Sequence, residues 1–348
     1  MLLDECAVPV VLAPLAGGPS TPELCAAVSE AGGLGFLATG YLPAAEVAAR
    51  ISRTRELTSR PFGVNLFVPG PDGETRGVQA YAQHLEEEFA AAGVALGEPR
   101  TDDDDWSAKL DLLTSAAPVP LVSFTFGCPT PEVVARLHHA GTEVWVTVSS
   151  VAEAGVAQQA GADGLVVQGA EAGGHRGGFV DDDGEALGLL ALLQSIRPAT
   201  ALPLVAAGGI MSGSGLAAAL AAGARAGAMG TAFLRCPEAG TSPVHRSALA
   251  QGRPTALTRA FTGRLARGIR NRFLDEHSAS APAAYPQVHH LTAPLRAHGR
   301  AVGDVDLVNL WAGQAYPLAT DLPAGEVVRR VAEEARLALD RARQALDP

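Results

Sequence analysis

The sequence predicts a (β/α)₈ barrel with a small, mainly helical lid near its C-terminal end. Three observations lead there. Eight short apolar or β-branched runs alternate with helical patterns through residue 234, close to the ~250 residues typical of such barrels. Glycine-rich turns follow several of these runs, whereas a doubly wound sheet concentrates its glycines after one strand. Beyond residue 234 the alternation stops.

The first strand is expected at 8–13, followed by a helix at 22–31. Thr21 and Pro22 supply an N-cap and a proline at the first helical position. The second strand is 34–38 with a helix at 44–57, and the third is 63–68 with one long helix at 78–92. The fourth pair is 121–126 and 131–140, opened by Thr130 and Pro131. The fifth is 144–148 and 151–160, the sixth 165–168 and 187–196, and the seventh 204–207 and 214–222. The eighth strand is 228–234. Gly141, Gly161 and Gly223 each follow a helical run, where a C-terminal cap belongs. The aspartate runs 102–105 and 181–183 read as solvated turns. Residues 1–242 and 321–348 are assigned to the barrel and 243–320 to the lid, with the amphipathic run 324–346 returning to the barrel wall.

Composition narrows the function. Hydrophobic residues make up 47% of the chain and aromatics 5%, which suits closely packed helix–sheet layers. A net charge of −11 argues against nucleic acid or an anionic membrane as partner. Cys6, Cys25, Cys128 and Cys236 form no CxxC pair, so neither a zinc ribbon nor a disulfide framework is expected. The first residues lack a basic segment ahead of their apolar run, and no later run reads as a membrane span. A cytoplasmic location is expected. The histidines at 84, 138, 139, 245, 277, 289, 290 and 298 read as loop or surface residues, and no metal site is expected.

The chemistry concentrates in 162–178, ADGLVVQGAEAGGHRGG, where a strand runs into a loop with one histidine. Ligands of parallel α/β proteins gather at the C-terminal ends of strands, so His175 is the candidate catalytic residue. Gly173 and Gly174 clear side chains from beside it. Gly208, Gly209, Gly230 and Thr231 follow the last two barrel strands, the place where barrels commonly hold a phosphate, and Ser212 and Ser214 could assist. The turn Ala13-Pro14-Leu15 offers backbone groups to the edge of a heterocycle. Asn65 and Gln168 offer amides that both donate and accept. One phosphate and one flat ring suit flavin mononucleotide (FMN). No strand–GxGxxG–helix signature for a dinucleotide is apparent. The arginines 253, 259, 264, 267, 270 and 272 could attract an anionic substrate or seal the pocket.

Taken together and in this order, APLAGG, GVNLF, VQGAEAGGHRGG, AAGGI and MGTAFL resemble the nitronate monooxygenases, once called 2-nitropropane dioxygenases. TRAFTGRLARGIRNRF and NLWAGQ resemble that family's lid. The resemblance implies an FMN barrel that oxidises alkyl nitronates, or nitroalkanes, with O₂ to a carbonyl compound and nitrite. It places His175 as the active-site histidine. It places Asn65, Gln168, Gly174, Gly208, Gly209, Gly230, Thr231 and the 13–15 turn at the flavin, with Gln314 nearby. A homodimer is a candidate assembly. Two alternatives stand beside this reading. One is an FMN- and NAD(P)H-dependent enoyl-acyl-carrier-protein reductase, which shares the barrel and a GGH loop; the other is a flavin-binding protein without turnover. An inosine-monophosphate-dehydrogenase-type barrel would need a cysteine in the loop after the sixth strand, and this chain has none there.

Overall fold

The computed structural model describes residues 1–70, 77–115, 117–182, 184 and 186–346. Eight parallel strands close into a barrel: β1 (Val10–Leu12), β2 (Gly35–Ala38), β3 (Phe62–Phe67), β4 (Leu121–Thr125), β5 (Glu143–Val148), β6 (Gly164–Gln168), and, after the short strand β7 (Gly174–His175), β8 (Leu204–Ala207) and β9 (Ala226–Met229). The order β1-β9-β8-β6-β5-β4-β3-β2 leaves β1 and β2 at the two ends, and a parallel bridge between Val11 and Leu34 joins them. The last barrel strand stops at Met229, short of the expected 234. Residues Thr231–Phe233 turn into a 3₁₀ helix, which moves Gly230 and Thr231 out of the strand and into the loop at its end.

The inside of the barrel is filled at its lower end. Phe36 and Trp145 lie 5.9 Å apart between ring centroids. They fit because Gly63 and Gly164 stand opposite them: a Cβ at either position would come within 2.4 Å and 2.9 Å of those rings. Leu2 and Leu3, on the N-terminal 3₁₀ turn, join this cluster from below. Large and small residues on different strands thus fill the lower barrel without overpacking it. The upper end stays open.

Helices α1 (Pro22–Glu30) and α2 (Ala44–Leu57) flank the first strands. Thr21 accepts the Leu24 N–H, as an N-cap should. Thr130 holds the cap position of its helix without such a bond. Gly141, Gly161 and Gly223 take left-handed φ of 81°, 94° and 97°, which end their helices at low cost. The segment expected as one helix at 78–92 is two, α3 (Val78–His84) and α4 (Glu86–Ala92). They leave the barrel wall and pack Val78, Tyr81 and Phe89 into a second core with Phe261, Phe273 and Leu291.

The wall helix of this unit is instead α5 (Trp106–Leu113), reached through the aspartate run. That run is not simply solvated. Lys109, fully buried, pairs with Asp104 at 2.7 Å and donates to the Thr39 carbonyl at 3.0 Å. The other Asp104 oxygen accepts the Tyr41 N–H at 2.8 Å. This ion pair anchors the loop after β2, where Tyr41 carries a left-handed φ of 70°. Breaking a buried pair strands its partner, so Lys109→Met should cost about 3–5 kcal/mol in urea denaturation. Lys109→Met with Asp104→Asn should recover part of that loss. An unchanged midpoint in the single variant would mean that water already screens the pair.

Asp181 likewise pairs with Arg259 at 3.1 Å and accepts the Leu265 N–H; Asp183 lies outside the described residues. Helices α6 (Pro131–His139), α7 (Val151–Gln159), α8 (Leu189–Ile196) and α9 (Gly213–Ala221) continue the barrel wall; past β9 the chain forms α10 (Pro243–Ala248), the hairpin β10 (Thr255–Thr258) and β11 (Ala266–Ile269), then α11 (Arg272–His277) and α12 (Gln287–Val302). The long helix α13 (Ala324–Leu346) returns to the barrel and packs on α1 and on the Gly213–Ala221 helix that follows β8. Among the described residues no helix is long and apolar enough to cross a membrane.

Candidate active site

A cavity of about 390 Å³ lies between the open barrel end and the 262–315 segment, a size usual for small-molecule sites. Ala13, Pro14, Leu15, Asn65, Gln168, Gly173, Gly174, His175, Gly208, Gly209, Gly230 and Thr231 all line it. Gln314 does not. Its backbone N–H donates to the Glu171 carbonyl and its side chain is exposed, while its neighbours Gly313 and Ala315 face the cavity.

His175 is held by its backbone. With Gly174 it forms β7, paired antiparallel with β11 so that Ala266 opposes His175 and Arg267 opposes Gly174. The adjoining Gly173 is packed so closely that a Cβ there would lie 2.4 Å from the backbone at 312–313. Gln168 completes the fixture. Its Nε2 donates to the His175 carbonyl at 3.3 Å and its Oε1 accepts the Gly177 N–H at 2.7 Å. Both ends of that amide therefore serve the loop, where the sequence reading assigned them to a ring edge.

The imidazole sits among three rings, edge-on to Phe126 at 5.6 Å and Tyr285 at 5.9 Å and tilted to Trp311 at 5.6 Å. Its Nε2 is 2.9 Å from the Thr262 hydroxyl, which donates its own proton to the Arg264 carbonyl. Where Thr262 keeps that bond, His175 donates through Nε2–H; Nδ1 has no partner among the described residues. Desolvation, then the charges of Arg264 and Arg296, hold its pKa down at about 3. At neutral pH the ring is uncharged, with Nδ1 free to accept a proton.

Aromatic residues in strained backbone shape the rest of this wall. Phe126, like Tyr41, has a left-handed φ (75°), and Arg264 lies 4.2 Å over its ring. Such strain in bulky residues survives only where surrounding contacts enforce it, and it tends to collect at functional sites. Tyr41 stacks on His289 at 4.1 Å and 5°.

Beside the 169–173 loop, the strand-end turns present backbone N–H groups at the cavity wall. Gly208 and Gly209 have φ of 112° and 70°. The Gly209 and Gly230 N–H groups are taken by no other group among the described residues. Thr231 Oγ1 accepts the Gly313 N–H at 3.1 Å and keeps its own proton to donate. Asn65 spends its Nδ2 on Ser123 and Thr125, leaving Oδ1 as an acceptor. Leu15 N–H is already bonded to Ser20, so it is unavailable to a ring edge. Ser212 and Ser214 bond each other, and Ser212 also caps the helix after β8; neither lines the cavity.

None of the arginines 253, 259, 264, 267, 270 and 272 lines the cavity. Arg264 donates to the Arg176 and Gly178 carbonyls, Arg267 to that of Ala170, and Arg270 and Arg272 pair with carboxylates. The cavity arginines are Arg296 and Arg300 on α12. They belong to one helix face, 289, 293, 296 and 300, all of it lining the cavity. Pro294 and the histidines hid that spacing by reading as loop. Histidines expected at the surface are also inside: His245 and His277 are buried, and His289 faces the cavity.

His245, bonded through Nε2 to the Trp311 carbonyl, has its pKa pushed down by burial to about 4. A histidine with a depressed folded pKa stabilises fully above its unfolded value near 6.5 and loses that contribution as pH falls toward the folded value. At pH 5 this amounts to roughly 2 kcal/mol for His245. Urea midpoints should therefore fall between pH 7 and pH 5, and His245→Gln should flatten that dependence. An unaltered slope in the variant would remove His245 as a source.

A family model described as nitronate monooxygenase matches residues 2–334. The chain is 42% identical to a nitronate monooxygenase of Pseudomonas aeruginosa, over 94% of this chain and 96% of that one. It is 38% identical to another from Paraburkholderia phytofirmans, over 97% and 94%. Among solved structures it is similar to a nitroalkane oxidase from Streptomyces ansochromogenes, with a TM-score of 0.95, 51% identity and 99% of each chain covered. FabK from Thermotoga maritima is similar at a TM-score of 0.77 and 27% identity, over 99% of this chain and 97% of that one.

Proposed function

The chain belongs to the nitronate monooxygenase family, and on that premise we propose that it uses FMN and O₂ to oxidise alkyl nitronates to a carbonyl compound and nitrite, with neutral nitroalkanes entering after loss of their α-proton. The observation that carries this reading is His175, uncharged, with an unpartnered Nδ1 at the wall of the cavity.

The residues present fit FMN. A Cβ at Gly230 would meet the Leu15 side chain at 3.0 Å, and both residues line the cavity, so a larger side chain there would crowd its wall. Gly209, Gly230 and Thr231 would hold the phosphate through N–H and hydroxyl groups, and Asn65 Oδ1 would accept from the ring. Bound there, the flavin would supply electron transfer from the nitronate to oxygen.

The protein's own part is to receive, hold and deprotonate. His175 Nδ1 takes the α-proton of a neutral nitroalkane, and the Arg296 charge at the cavity wall stabilises the anion left behind. Thr262 occupies the other ring nitrogen, Nε2. Phe126, Tyr285 and Trp311 keep bulk water from the reacting carbon. We assign residues 243–320, as a lid, to this substrate-facing side.

The test is an assay of purified protein with ethyl nitronate and O₂. Nitrite and acetaldehyde should form together. Absent nitrite, with anaerobic NADH bleaching the flavin, would instead establish the reductase alternative.

A further inference from the structure

Arg296 is 6% exposed and lines the cavity from α12. Its Nε donates to Thr292 Oγ1 at 3.1 Å, and its Nη2 donates to the His289 carbonyl at 2.8 Å and to His289 Nδ1 at 3.3 Å. These bonds fix the plane of the guanidinium. Nη1 makes no hydrogen bond, and no carboxylate lies within salt-bridge distance, among the described residues. A further positive charge, Arg300, stands one helical turn on and also lines the cavity.

Buried charges in proteins are ordinarily paired, because an unpaired one forfeits its hydration without compensation. Arg296 is thus oriented by neutral partners and left without a counter-ion, with its remaining donor at the wall of the cavity. Its partner His289 stacks on Tyr41, both line the cavity, and its charge acts on His175. His175, being neutral, does not supply the positive charge that an anion needs.

Resting on the reading of the preceding section, we propose that Arg296 is the specificity-determining residue that binds the nitronate oxygens, so that the anion is preferred over the neutral nitroalkane. Arg300, exposed at its outer end, adds attraction on entry. A guanidinium suits the two oxygens of a nitronate as it suits those of a carboxylate.

The experiment compares Arg296→Gln and Arg296→Lys with the parent protein. KM for ethyl nitronate should rise roughly 10- to 100-fold in the glutamine variant, with partial rescue by lysine. KM for neutral nitroethane should change by less than about threefold, and added salt should raise KM for the nitronate more in the parent protein than in the glutamine variant, which keeps only Arg300. Calorimetric titration with propionate, an unreactive anion, gives a readout independent of turnover. Propionate should bind the parent protein and bind the glutamine variant at least about tenfold more weakly. If no nitronate is turned over but propionate binding still depends on Arg296, the assigned reaction fails and the anion site stands. Equal propionate affinity in both proteins overturns the proposal. Loss of FMN from the glutamine variant also overturns it, by making Arg296 an anchor for the cofactor.

Discussion

His175→Asn should lower kcat for nitroethane by about 100- to 10,000-fold while leaving FMN bound in one-to-one proportion. Asparagine keeps a polar side chain of similar reach but cannot accept a proton near neutral pH. The loop should hold its course, because β7 is fixed by backbone pairing to β11 and by Gln168, neither of which uses the imidazole. The loss should be much smaller for ethyl nitronate, which arrives already deprotonated. Steady-state kinetics with both substrates separate the two roles. Equal losses would mean that the histidine orients the substrate without moving a proton, and unchanged rates would remove it from the mechanism.

Gly209→Val should empty the site. Gly209 has a φ of 70°, and a Cβ there would lie 3.0 Å from that of Glu171, whose carboxylate accepts the Leu189 N–H. A β-branched residue in left-handed backbone costs about 1–3 kcal/mol and would relax by moving the turn whose N–H is proposed to hold phosphate. That energy corresponds to an FMN affinity weaker by roughly 10- to 100-fold. Gly252→Val is the control, since Gly252 also has a φ of 70° but has open space around its would-be Cβ and lies off the cavity. The control should suffer comparable strain and retain FMN. Flavin lost equally from both variants would trace the effect to general stability.

The barrel was legible because its strands are short apolar runs separated by helices with clear ends, such as the capped Thr21-Pro22 start and the left-handed Gly141 and Gly161 stops. The cavity lining was legible wherever it comes directly from a strand end, as at Asn65, His175 and Gly208. What escaped depends on tertiary partners. The 106–113 helix follows an aspartate run that looked solvated, and the buried Lys109 five residues on explains why Asp104 turns inward. The helix carrying Arg296 contains Pro294, a local signal against it. Pro294 has no N–H for the His290 carbonyl, and Gly97 packs against that carbonyl so tightly that a Cβ would lie 2.0 Å from it. Gln314 shows the converse: its motif is legible in the sequence, yet its side chain is exposed while Gly313 and Ala315 line the cavity.

The most direct test of the account is anaerobic mixing of the purified protein with ethyl nitronate while flavin absorbance is followed. The protein should be yellow, its colour should bleach on mixing with kcat/KM sensitive to Arg296, and the colour should return with nitrite release when O₂ is admitted. A colourless preparation that binds no FMN, or a yellow one indifferent to nitronate, would contradict it.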